Sequence, residues 1–165
     1  MENGETTFHY NEYSWNLENH VLYIESPAGV GFSYCNNTMN DKDCAFDDDT
    51  SAKDNLDAIV FFFEKEFPEF IKNPLYISGE SYAGIYVPYV AHLIDQKNLN
   101  LIEPCDEHDQ ETGNCTVLNL KGFMVGNGCT NWEVDCNPAY IEMAYWHGLY
   151  DDELYNDIHN NNCLA

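Results

Sequence analysis

Apolar and polar positions along this chain sort into short β-prone runs separated by longer stretches with helical spacing. Val21 to Glu25 is a β-rich run, closed by Pro27 and by glycines at 29 and 31. From about Thr50 to Phe67, the apolar residues Leu56, Ile59, Val60, Phe63 and Phe67 form one helical stripe. Asp47-Asp48-Asp49-Thr50 supplies N-cap candidates for that helix. Leu75 to Ser78 predicts a second strand, short and apolar as a buried parallel strand is. A helix is expected from about Tyr82 to Gln96, with Pro88 producing a kink or a second start. Lys97 to Asn119 is polar, carries cysteines and lacks periodicity, which predicts a loop. Gly122 to Gly126 reads as the third strand, and Pro138 to Gly148 and Asp151 to His159 as helices. Alternating β and α elements predict an α/β chain with a parallel sheet, flanking helices and right-handed crossovers. With 165 residues, 44% of them hydrophobic, length predicts a single domain spanning residues 1–165.

The chemistry concentrates where the second strand meets its helix, in Gly79-Glu80-Ser81-Tyr82-Ala83-Gly84. A serine flanked by small residues between strand and helix is the pattern of a nucleophile elbow. The turn strains the serine backbone, and only small residues at positions −2 and +2 let strand and helix pack closely. Gly79 and Ala83 occupy these positions, so the usual Gly-x-Ser-x-Gly is altered by one methyl group. The same residues are also compatible with a serine capping an ordinary strand-loop-helix turn. The elbow reading expects Ser81 at the turn with φ of about +60°. In sheets of this kind, sites gather at the carboxyl ends of the strands, where Ser81 falls.

Four blocks extend the pattern: Asn11 to Asn16 with Val21 to Tyr34, Gly79 to Pro88, Leu120 to Gly128, and Ala144 to Tyr155. In this order they resemble the serine carboxypeptidases. The resemblance implies a partial α/β-hydrolase fold, a serine-type peptidase and no cofactor. It makes Ser81 the nucleophile that forms an acyl-enzyme. The main-chain N–H of Tyr82 becomes an oxyanion-hole donor, with its side chain irrelevant, and Gly79, Ala83 and Gly84 become the structural frame of the elbow. The family's triad Asp and His fall beyond the equivalent of residue 165, and its glycine-rich oxyanion loop before the equivalent of residue 11. The chain thus resembles the middle of a carboxypeptidase, and by itself is expected to be inactive.

Glu80 is unusual beside a nucleophile, because negative charge opposes an oxyanion. In the family that Gly79 to Pro88 resembles, a glutamate here helps bind the substrate's terminal carboxylate. Two carboxylates can hydrogen-bond only if one retains a proton, which implies work at acidic pH. The plain alternative is a surface glutamate at a helix N-terminus. Two rival functions remain: an acyltransferase on the same scaffold, whose members often carry Asp at this position, and a non-catalytic fragment or binding product.

Composition narrows the setting. There are 29 acidic residues against 6 Lys and Arg, a formal charge of −23, so nucleic acid and anionic membrane surfaces are disfavoured, while the family resemblance implies peptides as substrates. Such charge serves solubility, and it also suits an acidic lumen. The longest apolar run, Ala58 to Phe63, is far below the roughly 18 residues of a spanning helix. The polar start Met1 to Glu5 shows no secretory leader. Seven cysteines suggest an oxidising compartment. Local pairs suggest themselves between Cys35 and Cys44, Cys105 and Cys115, and Cys129 and Cys136, with Cys163 left over, although sequence does not fix connectivity. Sequons at Asn36 and Asn114 are candidate glycosylation sites, and with the family resemblance they imply a lysosomal, vacuolar or secreted protein. The six histidines show no ligand spacing, so no metal site is expected, and His147 lies in a block that precedes the family's triad Asp. Asp47 to Asp49 lacks the pattern of a calcium loop, and Gly29, Gly31, Gly126 and Gly128 suit tight turns rather than phosphate binding.

Overall fold

The structure, a computed structural model, describes residues 8–35, 46–102, 104, 115–161 and 163. Helix α1 spans Asp48–Phe61 and starts from a reciprocal cap. The Asp47 carboxylate accepts from the Thr50 N–H at 2.8 Å, and the Thr50 hydroxyl accepts from the Asp47 N–H at 3.0 Å. Its buried face carries Ser51, Ala52, Leu56 and Ile59. The expected stripe breaks at its end. Phe62–Glu66 widens into a π-helical turn, with the Phe67 N–H bonded to the Phe62 carbonyl at 2.8 Å. The longer turn shifts the phase of the side chains, so Phe67 leaves the core and stands 42% exposed. Pro68–Phe70 then forms a single 3₁₀ turn.

Strand β1 (Leu75–Glu80) pairs in parallel with strand β2 (Leu120–Gly126), in a register running from Leu75 opposite Leu120 to Glu80 opposite Gly126. The connecting helix α2 spans Ala83–Asn98 and runs through Pro88 as one helix, where the sequence suggests a kink or a new start. Helix α2 lies on both strands, and α1 packs on α2. The core is Ala52, Leu56, Ile59, Val90, Ile94 and Leu118, with Leu75, Ile77 and Leu120 against it. Leu118 is held by the Asn98 amide, which donates to its carbonyl at 2.8 Å and accepts from its N–H at 2.9 Å.

Two sequence expectations about strands change. β1 is not buried on both faces: Leu75, Ile77 and Gly79 are half-buried while Tyr76, Ser78 and Glu80 are exposed, because among the described residues only one face of the sheet carries a helix. Val21 to Glu25 forms no strand. A β-conformation needs a ladder partner, and here the run feeds a tight loop instead. The Glu25 carboxylate accepts from the N–H groups of Phe32 and Ser33 at 2.5 and 2.7 Å, closing that loop around Gly31, where a Cβ would collide with Glu25.

After β2, a π-helical turn at Trp132–Cys136 leads into α3 (Asn137–Trp146), and α4 (Asp152–Asn160) follows. The Asp151 carboxylate caps α4 through the Leu154 N–H at 3.0 Å. Glu142 of α3 accepts from the Tyr155 hydroxyl at 2.8 Å and the Trp146 indole at 3.1 Å, and faces His159 at 3.4 Å. The rings of Tyr145 and Tyr155 stack at 3.9 Å, so the two helices join by polar and aromatic contacts with no buried residue on either. No helix among the described residues is long and apolar enough to cross a membrane.

The core predicts a contrast between two apolar residues of the same stretch. Leu56→Ala should lower the unfolding free energy by about 2–5 kcal/mol, the usual range for a buried leucine. Phe67→Ala should cost less than about 1 kcal/mol. Urea denaturation of both variants checks this, and a larger loss at Phe67 would contradict the described core.

Candidate active site

The junction of β1 and α2 positions Ser81. Its backbone is left-handed, with φ of 62°, and among the described residues only Asn100 and Asn127 share that geometry outside glycine. A serine pays roughly 1–2 kcal/mol for this conformation, so the neighbours must hold it. Three main-chain bonds do so. The Ser81 N–H donates to the Gly126 carbonyl at 3.0 Å. The Ser81 carbonyl accepts from the N–H groups of Gly84 at 3.0 Å and Cys129 at 2.9 Å. The side chain is exposed, at the carboxyl end of the strand.

The small residues have steric reasons. A Cβ on Gly79 would meet the Ala83 Cβ at 2.5 Å and the Val87 side chain at 3.2 Å, and this contact sets the distance between strand and helix. A Cβ on Gly84 would meet the Cys129 carbonyl oxygen at 2.4 Å, and one on Gly128 the Val125 side chain at 2.5 Å. Gly84 and Gly128 therefore sit at a close approach, and Asn127, beside Gly128, takes φ of 45°, which asparagine tolerates better than most residues.

Tyr82 is the N-cap of α2, so its main-chain N–H stands at the positive end of that helix, beside Ser81. Its side chain, which the oxyanion role does not use, has a structural partner of its own. The hydroxyl donates to both carboxylate oxygens of Asp48, at 3.1 and 3.0 Å, tying the elbow to the first turn of α1. The ring meets Tyr86 edge-on at 4.8 Å and lies 5.9 Å from Trp132. Burial, then the Asp48 carboxylate, pushes the phenol above its ordinary value of 10.0. This contact spans 34 residues, and no local pattern announces it.

Glu80 ends β1, exposed and adjacent to Ser81. His147 caps the end of α3, with its Nδ1 2.7 Å from the Met143 carbonyl. Cys129 and Cys136 form one of the disulfides expected from sequence. Cys35 and Cys115 are also disulfide-bonded, and Cys163 is a free, exposed thiol. Asn36, Cys44, Cys105 and Asn114 lie outside the described residues. Cys129, Asp135 and Cys136 bring their ligand atoms within 4.8 Å of one another, but the two sulfurs are bonded together, leaving one carboxylate as a ligand.

Comparison with known proteins gives this geometry its context. A family model described as serine carboxypeptidase matches residues 1–165. The chain belongs to the serine carboxypeptidase family. It is 40% identical over 157 residues to the mouse (Mus musculus) lysosomal protective protein, covering 95% of this chain and 28% of that protein. It is 39% identical over 152 residues to serine carboxypeptidase-like 35 of Arabidopsis thaliana, covering 92% of this chain and 28% of the relative. Among solved structures it is similar to Kex1(delta)p, a prohormone-processing carboxypeptidase from Saccharomyces cerevisiae, with TM-score 0.61 and 29% identity. That match covers 86% of this chain and 28% of the yeast chain. The parallel pair with its helices is thus part of the α/β-hydrolase fold of a serine carboxypeptidase, and the chain spans about 28% of the length of these relatives.

Gly79 offers a direct test of the elbow's packing. Gly79→Ala should destabilise the chain by about 1–3 kcal/mol, as overpacking does, and adding Ala83→Gly should recover part of that loss because the two groups collide with each other. Thermal unfolding of the single and double variants measures it, and a neutral Gly79→Ala would contradict the close packing. The Asp135 carboxylate makes a second prediction. Bonds first from the Thr130 hydroxyl and then from the Asn131 N–H hold it below its ordinary 3.8. Its stabilisation is therefore complete above that value and disappears as pH falls through the depressed one. The stability difference between the parent and Asp135→Asn should be present at neutral pH and shrink on acidification below about pH 4. A difference that is constant with pH would contradict it.

Proposed function

We propose that this chain carries the nucleophile of a serine carboxypeptidase that releases C-terminal residues from peptides. The observation that carries the reading is the left-handed Ser81, φ 62°, at the end of β1 and before the N-terminus of α2. This conformation aims the hydroxyl away from both elements and leaves the following N–H at a helix terminus, where developing negative charge is favoured. The Ser81 Oγ attacks the scissile carbonyl and its proton passes to a histidine, which the family resemblance places beyond the equivalent of residue 165. The tetrahedral oxyanion is received by the Tyr82 N–H and a second donor from the family's glycine-rich loop. The amine leaves with a proton, and water then hydrolyses the acyl-enzyme.

Glu80 supplies the preference for a free C-terminus in this reading. Facing the substrate carboxylate, one of the two carboxyl groups must keep a proton, which favours acidic conditions and a lysosome-like, vacuolar or secreted setting. The relative named as lysosomal supports that setting, as does the disulfide-bonded state of Cys35, Cys115, Cys129 and Cys136. The formal charge of −23 makes nucleic acid and anionic lipid poor partners.

The 165-residue chain alone should release no C-terminal amino acids, since loss of one triad member costs on the order of 10⁴-fold or more. Measurable turnover by the purified chain would overturn the assignment of the base. In the carboxypeptidase-length protein, Glu80→Gln keeps a donor that cannot ionise. It should retain activity on free-acid peptides to higher pH than the parent, mostly through KM, while amidated peptides respond far less. Identical pH profiles of kcat/KM for parent and variant on the free acid would remove Glu80 from substrate binding.

A further inference from the structure

The segment after β2 is pressed against the elbow by main-chain atoms. The Cys129 N–H donates to the Ser81 carbonyl at 2.9 Å, and the Cys129 carbonyl occupies the space that a Cβ on Gly84 would need, at 2.4 Å. Trp132, three residues on, lies 5.9 Å from the Tyr82 ring. The loop that presents these groups is closed on itself. Cys129 and Cys136 are joined with their Cα atoms 5.5 Å apart, seven positions apart in sequence. Inside that ring, the Asp135 carboxylate accepts from the Thr130 and Asn131 N–H groups at 3.0 and 3.1 Å, and the Asn131 side chain accepts from Glu133 and Val134 at 2.9 Å each. The N–H of buried Cys136 donates to the Asn131 carbonyl at 3.1 Å. A ring this short and internally bonded has little freedom, so it can hold one of the two acceptor bonds of the strained Ser81 carbonyl in place.

We propose that the disulfide-closed loop Cys129–Cys136 is a positioning clasp for the nucleophile elbow, with Cys129 acting through its main-chain N–H on the Ser81 carbonyl. The proposal deepens the reading of Ser81 as nucleophile and rests on it for its catalytic consequence. Cys129 touches no reacting atom. It fixes the backbone from which Ser81 and the Tyr82 N–H project. Opening the ring leaves every atom of the elbow in place but frees its outer support, so the effect should fall on the chemical step rather than on substrate binding.

Amide hydrogen exchange on the 165-residue chain tests the clasp without requiring Ser81 to react. In Cys129→Ala/Cys136→Ala, the Cys129 amide and those of Gly84 to Tyr86 should exchange on the order of tenfold faster or more, while Ile77 in β1 and the α1–α2 core amides keep their rates. Gly84→Ala keeps the disulfide but forces the Cys129 carbonyl away, and should loosen the same residues, so the test does not depend on the cysteine variant folding. Unchanged exchange at these amides, or a uniform rise that includes the core, would overturn the clasp. In the carboxypeptidase-length protein, the cysteine variant should lower kcat with KM within about twofold of the parent, and an unchanged kcat would equally overturn it. Turnover that survives Ser81→Ala sinks the nucleophile reading instead, and leaves the exchange result standing.

Discussion

The backbone of one residue holds this arrangement together. The Ser81 carbonyl accepts two N–H groups, from Gly84 in the first turn of α2 and from Cys129 beyond β2, while the Ser81 N–H donates across to Gly126 at the end of β2. Strand, helix and following loop therefore converge on one residue whose backbone would relax to a different conformation if any of them withdrew. The small residues nearby follow from that convergence. Gly79 admits Ala83, Gly84 admits the Cys129 carbonyl, and Gly128 admits Val125 and the backbone of Gly84. The hydrophobic core beneath, from Leu56 to Leu118, supplies the rigidity that makes the strained turn affordable.

The elbow was legible in the sequence because its causes are local. Gly79 and Ala83, at fixed offsets around a serine between a β-prone run and an apolar helix, encode a strand–helix contact that involves only neighbours in the chain. The φ of Ser81 and the Asp47–Thr50 cap are of this kind. What the sequence hid depends on distant partners. The Tyr82–Asp48 bond joins residues 34 apart, and the Cys129–Ser81 bond depends on where β2 delivers the chain. Phe67 was misplaced because hydrophobic periodicity assumes one helical pitch, and a π-helical turn intervenes. The roles given to Glu80 and to the Tyr82 N–H come from the family resemblance and from chemistry, and the geometry places both groups beside Ser81.

Val21 to Glu25 shows the same limit from the other side. Its β-rich composition describes a side-chain preference, but a strand is a relation between two backbones, and among the described residues only β1 and β2 form one. Much of the chain's apolar surface is likewise without cover: Phe8 is 94% exposed and Phe32 95%. Tyr13, Tyr34 and Trp15 are exposed as well. They accompany a chain that spans about 28% of the length of its relatives.

The central claim is that the strained turn presents Ser81 as the reactive hydroxyl of a serine carboxypeptidase. The most direct measurement is covalent labelling of the carboxypeptidase-length protein with a fluorophosphonate, followed by peptide mass mapping. The account predicts one phosphonyl group per protein, on the peptide containing Ser81, with loss of peptidase activity in proportion to labelling. A label that lands on another serine, or full activity after Ser81 is completely modified, would contradict it.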